Sequence, residues 1–309
     1  VNGTTEVAPL LVEDYEVSED LTEYEFTLKQ GVQFHGDYGE LTADDMVYSI
    51  RRLVESTNST NTYFPLSVLA IEHETDDEGN VVPGSTAVEA TGDYSFRITL
   101  RNPFTYALSV LAYSAFSAVP EGIVGDIEGY DGDMDWQQFS TNPVGCGPFV
   151  FEEWQEGNGG QFRTSAFGDY HGQQPAFSES HSAIITDPTA SHNYFLNENA
   201  DVSGIPTSKY DPNSVTIEET NDLGQDLGTY QLENGNTVNM SATASLNTFY
   251  VGFHMEKVPK PVRQAMAYVV NHEQFISSVF KGRGAGAFHL TPPGAFPGGG
   301  AGYDDNYQA

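Results

Sequence analysis

Asp131, Asp133 and Asp135 alternate along Asp131-Gly132-Asp133-Met134-Asp135, the spacing of the first three side-chain ligands of a calcium loop. Such a loop also needs a glycine at its position 6 and a bidentate glutamate at 12, where Trp136 and Asn142 stand instead. The run therefore reads as an acidic surface loop. The eight histidines form no HExxH pair, and His35, His171, His181 and His192 are too scattered to define a metal site. Each reads as a surface or hydrogen-bonded residue. Cys146 is the single cysteine, so it can build neither an intrachain disulfide nor a thiolate zinc site, and it reads as a small buried residue. The glycines of 156–160 and 282–286 fit no phosphate-binding pattern, and there is no GxSxG elbow. With 44 acidic residues, a chance acid/base pair carries no weight. Asn2-Gly3-Thr4, Asn58-Ser59-Thr60 and Asn239-Met240-Ser241 are acceptor triplets for N-linked glycan. They agree with an exported chain, although such triplets arise readily by accident. No catalytic residue, metal or cofactor is expected.

The elements that would position a site follow from hydrophobic period. Tyr24, Phe26 and Leu28 alternate with polar residues, which predicts a half-buried strand over 24–29. Thr42 is a good N-cap, Asp44 and Asp45 suit a positive first turn, and Met46, Ile50, Leu53 and Val54 recur at helical spacing, predicting a helix over 43–55. The acidic residues 72–79 read as a solvated loop, and Tyr94, Phe96, Ile98 and Leu100 mark a second strand. Residues 121–143, rich in Gly and Asp, read as a loop crossing, with strands following at 147–154, 160–166 and 181–187. The polar stretch 204–245 is ambiguous, and 247–254 reads as a strand. Beyond Pro259 and Pro261, Val262, Ala265, Met266, Val269 and Val270 share one helical face. Asn271 then caps a further helix carrying Phe275, Ile276, Val279 and Phe280, with Gln274 at the capping-box position. The end is rich in Gly and Pro. No internal repeat is visible, and the irregular alternation implies a mixed α/β protein.

Composition bounds the partners. Forty-four acidic residues against twelve basic ones give a formal charge of −32, which disfavours nucleic acid and anionic lipid surfaces. Intrinsic disorder is one source of such a charge, but 19 Phe, 17 Tyr and clean periodic segments argue against it. Adaptation to molar salt is the other, because there the Debye length falls to about 3 Å and acidic groups scarcely repel one another. No stretch approaches about 18 consecutive apolar residues, the length of a membrane-spanning helix. Val1 opens without a basic or apolar leader, so any export signal is expected to have been removed or to lie outside this sequence.

The run from Pro9 to Gly36, including Tyr24-Glu25-Phe26-Thr27-Leu28-Lys29-Gln30-Gly31-Val32-Gln33-Phe34-His35-Gly36, resembles a long motif of the oligopeptide, dipeptide and nickel class (family 5) of ABC-transporter solute-binding proteins. Leu41-Thr42-Ala43-Asp44-Asp45-Met46-Val47-Tyr48-Ser49-Ile50 is similar to that class's next motif almost letter for letter. Asn142-Pro143-Val144-Gly145-Cys146-Gly147-Pro148-Phe149, Gly168-Asp169-Tyr170-His171-Gly172, Phe249-Tyr250-Val251-Gly252-Phe253-His254 and Val262-Arg263-Gln264-Ala265-Met266-Ala267-Tyr268 resemble later blocks in the same order. Cys146 stands where threonine is usual, and Lys29-Gln30 replaces the common Arg-Asp.

The resemblance implies a two-lobed α/β clamp of the periplasmic-binding-protein kind (class II) with an extra inserted domain, incomplete here because members run longer at both ends. Residues 1–8 would be a remnant of lobe one, 9–140 the inserted domain, 141–245 lobe one and 246–309 the start of lobe two. It implies binding without catalysis: capture of an oligopeptide or dipeptide by a monomer on the outer face of the membrane, and delivery to ABC permease subunits. A nickel chelate, an oligosaccharide or an opine is the alternative ligand, and a secreted hydrolase the alternative of another class. Tyr63 falls where the family places an aromatic near the ligand, Asn142, Gly145 and Cys146 form the turn at the mouth, and Asn247, Phe249 and Tyr250 lie beside the hinge. A halophilic archaeal source would fit the acidity.

Overall fold

Because side chains alternate across a strand, Tyr24, Phe26 and Leu28 on one face and Glu23, Glu25 and Thr27 on the other give a segment with one side to bury. Their strand lies in an antiparallel sheet of β1 (Val12–Val17), β2 (Glu23–Leu28), β3 (Val88–Gly92) and β4 (Ser95–Thr99), in the order β1-β2-β4-β3. The register sets Phe26 opposite Phe96 and Tyr24 opposite Ile98, with the two phenyl rings 5.1 Å apart, while on the outer face Arg97 donates to Glu25 at 2.8 Å. In this computed structural model, residues 7–221, 225–243, 245–292, 295–296, 302–303 and 305–306 are described. The Asn2 triplet and most of the 1–8 segment lie outside the described residues.

Helix α1 (Ala43–Glu55) covers this sheet with Ala43, Met46 and Ile50, as its period requires. Its polar face is buried as well, under the irregular segment 119–127, which the apolar stripe alone does not foretell. Backbone that forms no ladder still needs partners, and α1 supplies them. Ser49 Oγ accepts the Val119 N–H at 2.9 Å, Asp45 Oδ1 accepts the Glu121 N–H at 2.7 Å, and Tyr48 Oη donates to Val124 O at 2.7 Å while accepting the Val124 N–H at 3.0 Å. Asp45 also accepts the Thr42 N–H and hydroxyl, closing the helix start. Asp45, Tyr48 and Ser49 are thus the scaffold residues of the 41–50 motif.

The short helices α2 (Ala107–Leu111) and α3 (Trp136–Thr141) follow, α3 capped by Asp135, whose carboxylate accepts the Gln138 N–H at 2.8 Å. Residues 121–143 therefore hold a helix as well as a loop. The three-stranded antiparallel sheet of β5 (Phe149–Trp154), β6 (Gln161–Ala166) and β7 (Glu179–Ala183) comes next, its last strand earlier than 181–187.

The chain divides into two compact units, one ending at Ile184 and the other beginning at Ile185. The expected boundary at 140/141 falls within the first unit and that at 245/246 within the second. The second unit contains α4 (Pro188–Leu196), an antiparallel sheet of β8 (Val215–Thr220), β9 (Gln225–Gln231) and β10 (Thr237–Thr243) in the order β10-β9-β8, then α5 (Lys260–Val269) and α6 (His272–Val279). Asn271 caps α6 by accepting the Gln274 N–H at 2.9 Å. Residues 247–254 do not form a strand: alternation makes one only where a neighbouring edge offers a ladder. No helix of the described residues is long and apolar enough to cross a membrane.

Candidate functional site

Two features of the first unit project groups suited to holding a ligand. The first is the turn 142–148. His35, at the end of the 9–36 motif, grips it from 112 positions away: its backbone N–H donates to Gly145 O at 2.8 Å and its ring Nε2 meets Gly147 O at 2.9 Å. A carbonyl only accepts, so Nε2 carries the hydrogen. Phe167 packs edge-on to the imidazole at 4.8 Å. Cys146 points into the main apolar core, and burial pushes its thiol up to about 11, which keeps it protonated and unreactive at neutral pH. Asn142 is exposed, its side-chain amide donating to Gln138 O at 3.0 Å at the end of α3. Gly145 and Gly147 have no positive φ, and a methyl group on either would meet nothing within 4 Å. The turn's own packing therefore does not demand glycine.

The second feature is an aromatic ledge. A π-helical turn, Phe64–Val68, follows Tyr63, closed by the Leu69 N–H on Phe64 O at 2.9 Å. Such turns concentrate at functional sites. Ala70 leaves it with φ of 54°, a left-handed conformation uncommon for a residue with a side chain. Phe64 is partly buried and packs at a tilt against Tyr113, ring centroids 4.7 Å apart, and Tyr63 meets Phe64 edge-on at 5.9 Å. Tyr63 and Tyr113 remain 65% and 53% exposed, an unusual state for rings already paired with a neighbour. The family resemblance names Tyr63 and not Tyr113, because an aromatic pair separated by about 50 positions has no sequence-level signal.

In the second unit, Asn247, Phe249 and Tyr250 lie on the irregular stretch before α5, all exposed, with Phe249 6.0 Å from Phe280. The apolar face of α5, including Val262 and Met266, is also exposed. Among the described residues, no group of three or more His, Cys, Asp or Glu is arranged to hold a metal. What both units present is exposed aromatic surface, with Tyr63 and Tyr113 in the first and Phe249 and Tyr250 in the second, the chemistry of binding.

The profile described as bacterial extracellular solute-binding proteins, family 5 (middle), matches residues 6–309, and the chain belongs to this family. Members of the family are non-enzymatic transport components found in the periplasm or outside the cell. The dipeptide-binding protein of Escherichia coli (strain K12) is 29% identical over 315 residues, covering 99% of this chain and 52% of that protein. Di/tripeptide-binding protein 2 of Pseudomonas aeruginosa (strain UCBPP-PA14) is 26% identical, covering 99% and 53%. The chain thus spans about half the length of these relatives. Among solved structures, the periplasmic binding protein DppA of Helicobacter pylori in complex with the peptide STSA aligns with a TM-score of 0.62 at 19% identity, over 94% of this chain and 53% of that one. NikZ of Campylobacter jejuni in complex with Ni(L-His) aligns with a TM-score of 0.64 at 18% identity, over 93% and 50%. These two likenesses carry the mixed α/β fold of family 5 binding proteins.

Proposed function

We propose that the protein to which this chain belongs is the substrate-binding component of an ABC importer, capturing dipeptides or oligopeptides outside the membrane and delivering them to the permease. The observation that carries this reading is the exposed ledge of Tyr63, Phe64 and Tyr113 in the same unit as a glycine turn that its own packing does not require. An aromatic ledge stacks on side chains of many kinds, and glycine lets a ligand's main chain approach closely, so together they suit a ligand with a constant backbone and variable side chains. The peptide-binding names of two relatives point the same way. Tyr63, the main chain of Asn142, Gly145 and Cys146, and Asn247, Phe249 and Tyr250 are the proposed contacts. The protein acts as a monomer associated with the outer face of the membrane.

The test is ligand-dependent stabilisation of the full protein. A dipeptide or tripeptide at 100 times its Kd should add about 2.7 kcal/mol to the unfolding free energy. Tyr63→Ala should weaken binding by about tenfold, close to 1.4 kcal/mol, without lowering the melting temperature of the ligand-free protein. Stabilisation by a nickel chelate, an oligosaccharide or an opine but by no peptide would refute the peptide reading; turnover of a chromogenic peptide would move the protein to the hydrolases.

We further propose adaptation to concentrated salt, as in a halophilic archaeon. A net charge of −32 opposes compaction when it is unscreened. Thermal melting should therefore occur at a clearly higher temperature in about 3 M NaCl, where the Debye length is below about 3 Å, than at about 0.1 M. Equal melting temperatures at the two concentrations would end this idea.

A further inference from the structure

The first unit also has a cleft whose lining includes none of the residues of the aromatic ledge or of the 142–148 turn. It is a cavity of about 360 Å³ lined by Thr57, Asn58, Ile127, Glu128, Asp135 and Trp136, near the lower end of the usual size for small-molecule sites. Trp136, at the start of α3, is 43% exposed, and Glu128 and Asp135 are exposed beside it. An exposed indole offers a flat apolar face, and the carboxylates offer only acceptors. A pyranose is complementary to both, with a C–H face for the ring and hydroxyl donors for the carboxylates.

The cleft carries its own attachment point. Asn58 lines it and begins the acceptor triplet Asn58-Ser59-Thr60. The chain leaves α1 through a pinned turn: the Asn58 N–H donates to Ser56 Oγ at 3.1 Å and Ser59 Oγ donates to Leu53 O at 2.7 Å. Asn58 and Thr60 are both exposed, and the Asn58 side-chain amide makes no hydrogen bond among the described residues. Asn239, by contrast, lies within β10, paired opposite Thr229, so its backbone is committed to a ladder.

We propose that Asn58 carries an N-linked glycan whose first sugar rests in this cleft against Trp136. The donor is an oligosaccharide activated on a polyprenyl phosphate, met on the export side of the membrane. The Asn58 Nδ2 forms a bond to the anomeric carbon, and the bond from that carbon to the lipid phosphate breaks. The lipid phosphate leaves with the electron pair, and the amide proton passes to a base of the transferase. The proposal rests on export, a property of the family, and is independent of which solute is captured.

The test uses protein isolated from the organism that makes it. Trypsin cutting after Arg52 and Arg97 frees a 53–97 peptide that contains one acceptor triplet. Its mass should exceed the unmodified value by a hexose-containing glycan, and the Thr60→Ala peptide should have the mass calculated for its own sequence without any glycan. An unmodified 53–97 peptide from the wild-type protein overturns the proposal. The chain has two tryptophans, so Trp154→Phe leaves Trp136 as the single reporter. In that background, acrylamide quenching should rise about twofold when Thr60→Ala removes the sugar that covers the indole. Quenching that does not change would overturn the placement of the sugar on Trp136.

Discussion

Asp126→Ala is expected to destabilise the protein by about 3 kcal/mol, measured as a lower urea midpoint at unchanged m-value. Asp126 Oδ1 accepts from Arg52 Nε at 2.8 Å, Oδ2 accepts from Arg52 Nη2 at 3.1 Å, and Ser56 Oγ donates to Oδ2 at 2.8 Å. The Asp126 side chain is 6% exposed and that of Arg52 21%, and the guanidinium stands over the Phe139 ring at 5.1 Å. A fork of this kind ties α1 to the segment that leads into α3, and removing the carboxylate strands a largely desolvated cation. The double variant Arg52→Met with Asp126→Leu should recover most of the loss, because no charge is then left unpaired. A single-variant cost below about 1 kcal/mol would mean that the pair behaves as an exposed one.

The same helix shows how far local sequence carries. Its period, its cap at Thr42 and the alternation of β2 and β4 are properties of neighbouring residues, and each element formed where these signals lie. α5 and α6 were legible for the same reason. β8, β9 and β10 were not, because their pattern is polar and each strand depends on a partner that sequence does not name. The error at 247–254 is the converse: an alternating apolar run with no ladder to join. The 9–36 and 142–149 motifs were each visible, yet their bond through His35 spans 112 positions and is a property of the fold. Likewise Tyr63 could be named from the resemblance, while Phe64 and Tyr113 became part of the ledge only through the π-helical turn.

Glycine substitutions should separate scaffold from site along one stretch of chain. Gly125 and Gly132 lie back to back where 122–125 meets 131–134, with Val124 bridged to Met134 and the Asp133 and Met134 N–H groups both donating to Ile123 O at 3.1 Å. A methyl group on Gly132 would overlap the Gly125 backbone nitrogen, and one on Gly125 the Asp131 carbonyl; Gly132 also sits at φ of 75°. Both obstacles are backbone, so neither can swing aside. Gly132→Ala should therefore cost about 3 kcal/mol or more in urea unfolding. Gly129→Ala, at φ of 99° with nothing within 4 Å, should lose about 1 kcal/mol from backbone strain alone. Gly145→Ala meets neither obstacle and should leave stability equal or raise it by about 0.5 kcal/mol, because alanine restricts the unfolded chain. If the 142–148 turn touches ligand, that last variant should still bind peptide more weakly. A Gly132→Ala protein as stable as wild type would show that the two segments do not pack as described, and would remove the support beneath α3 and the turn that follows it.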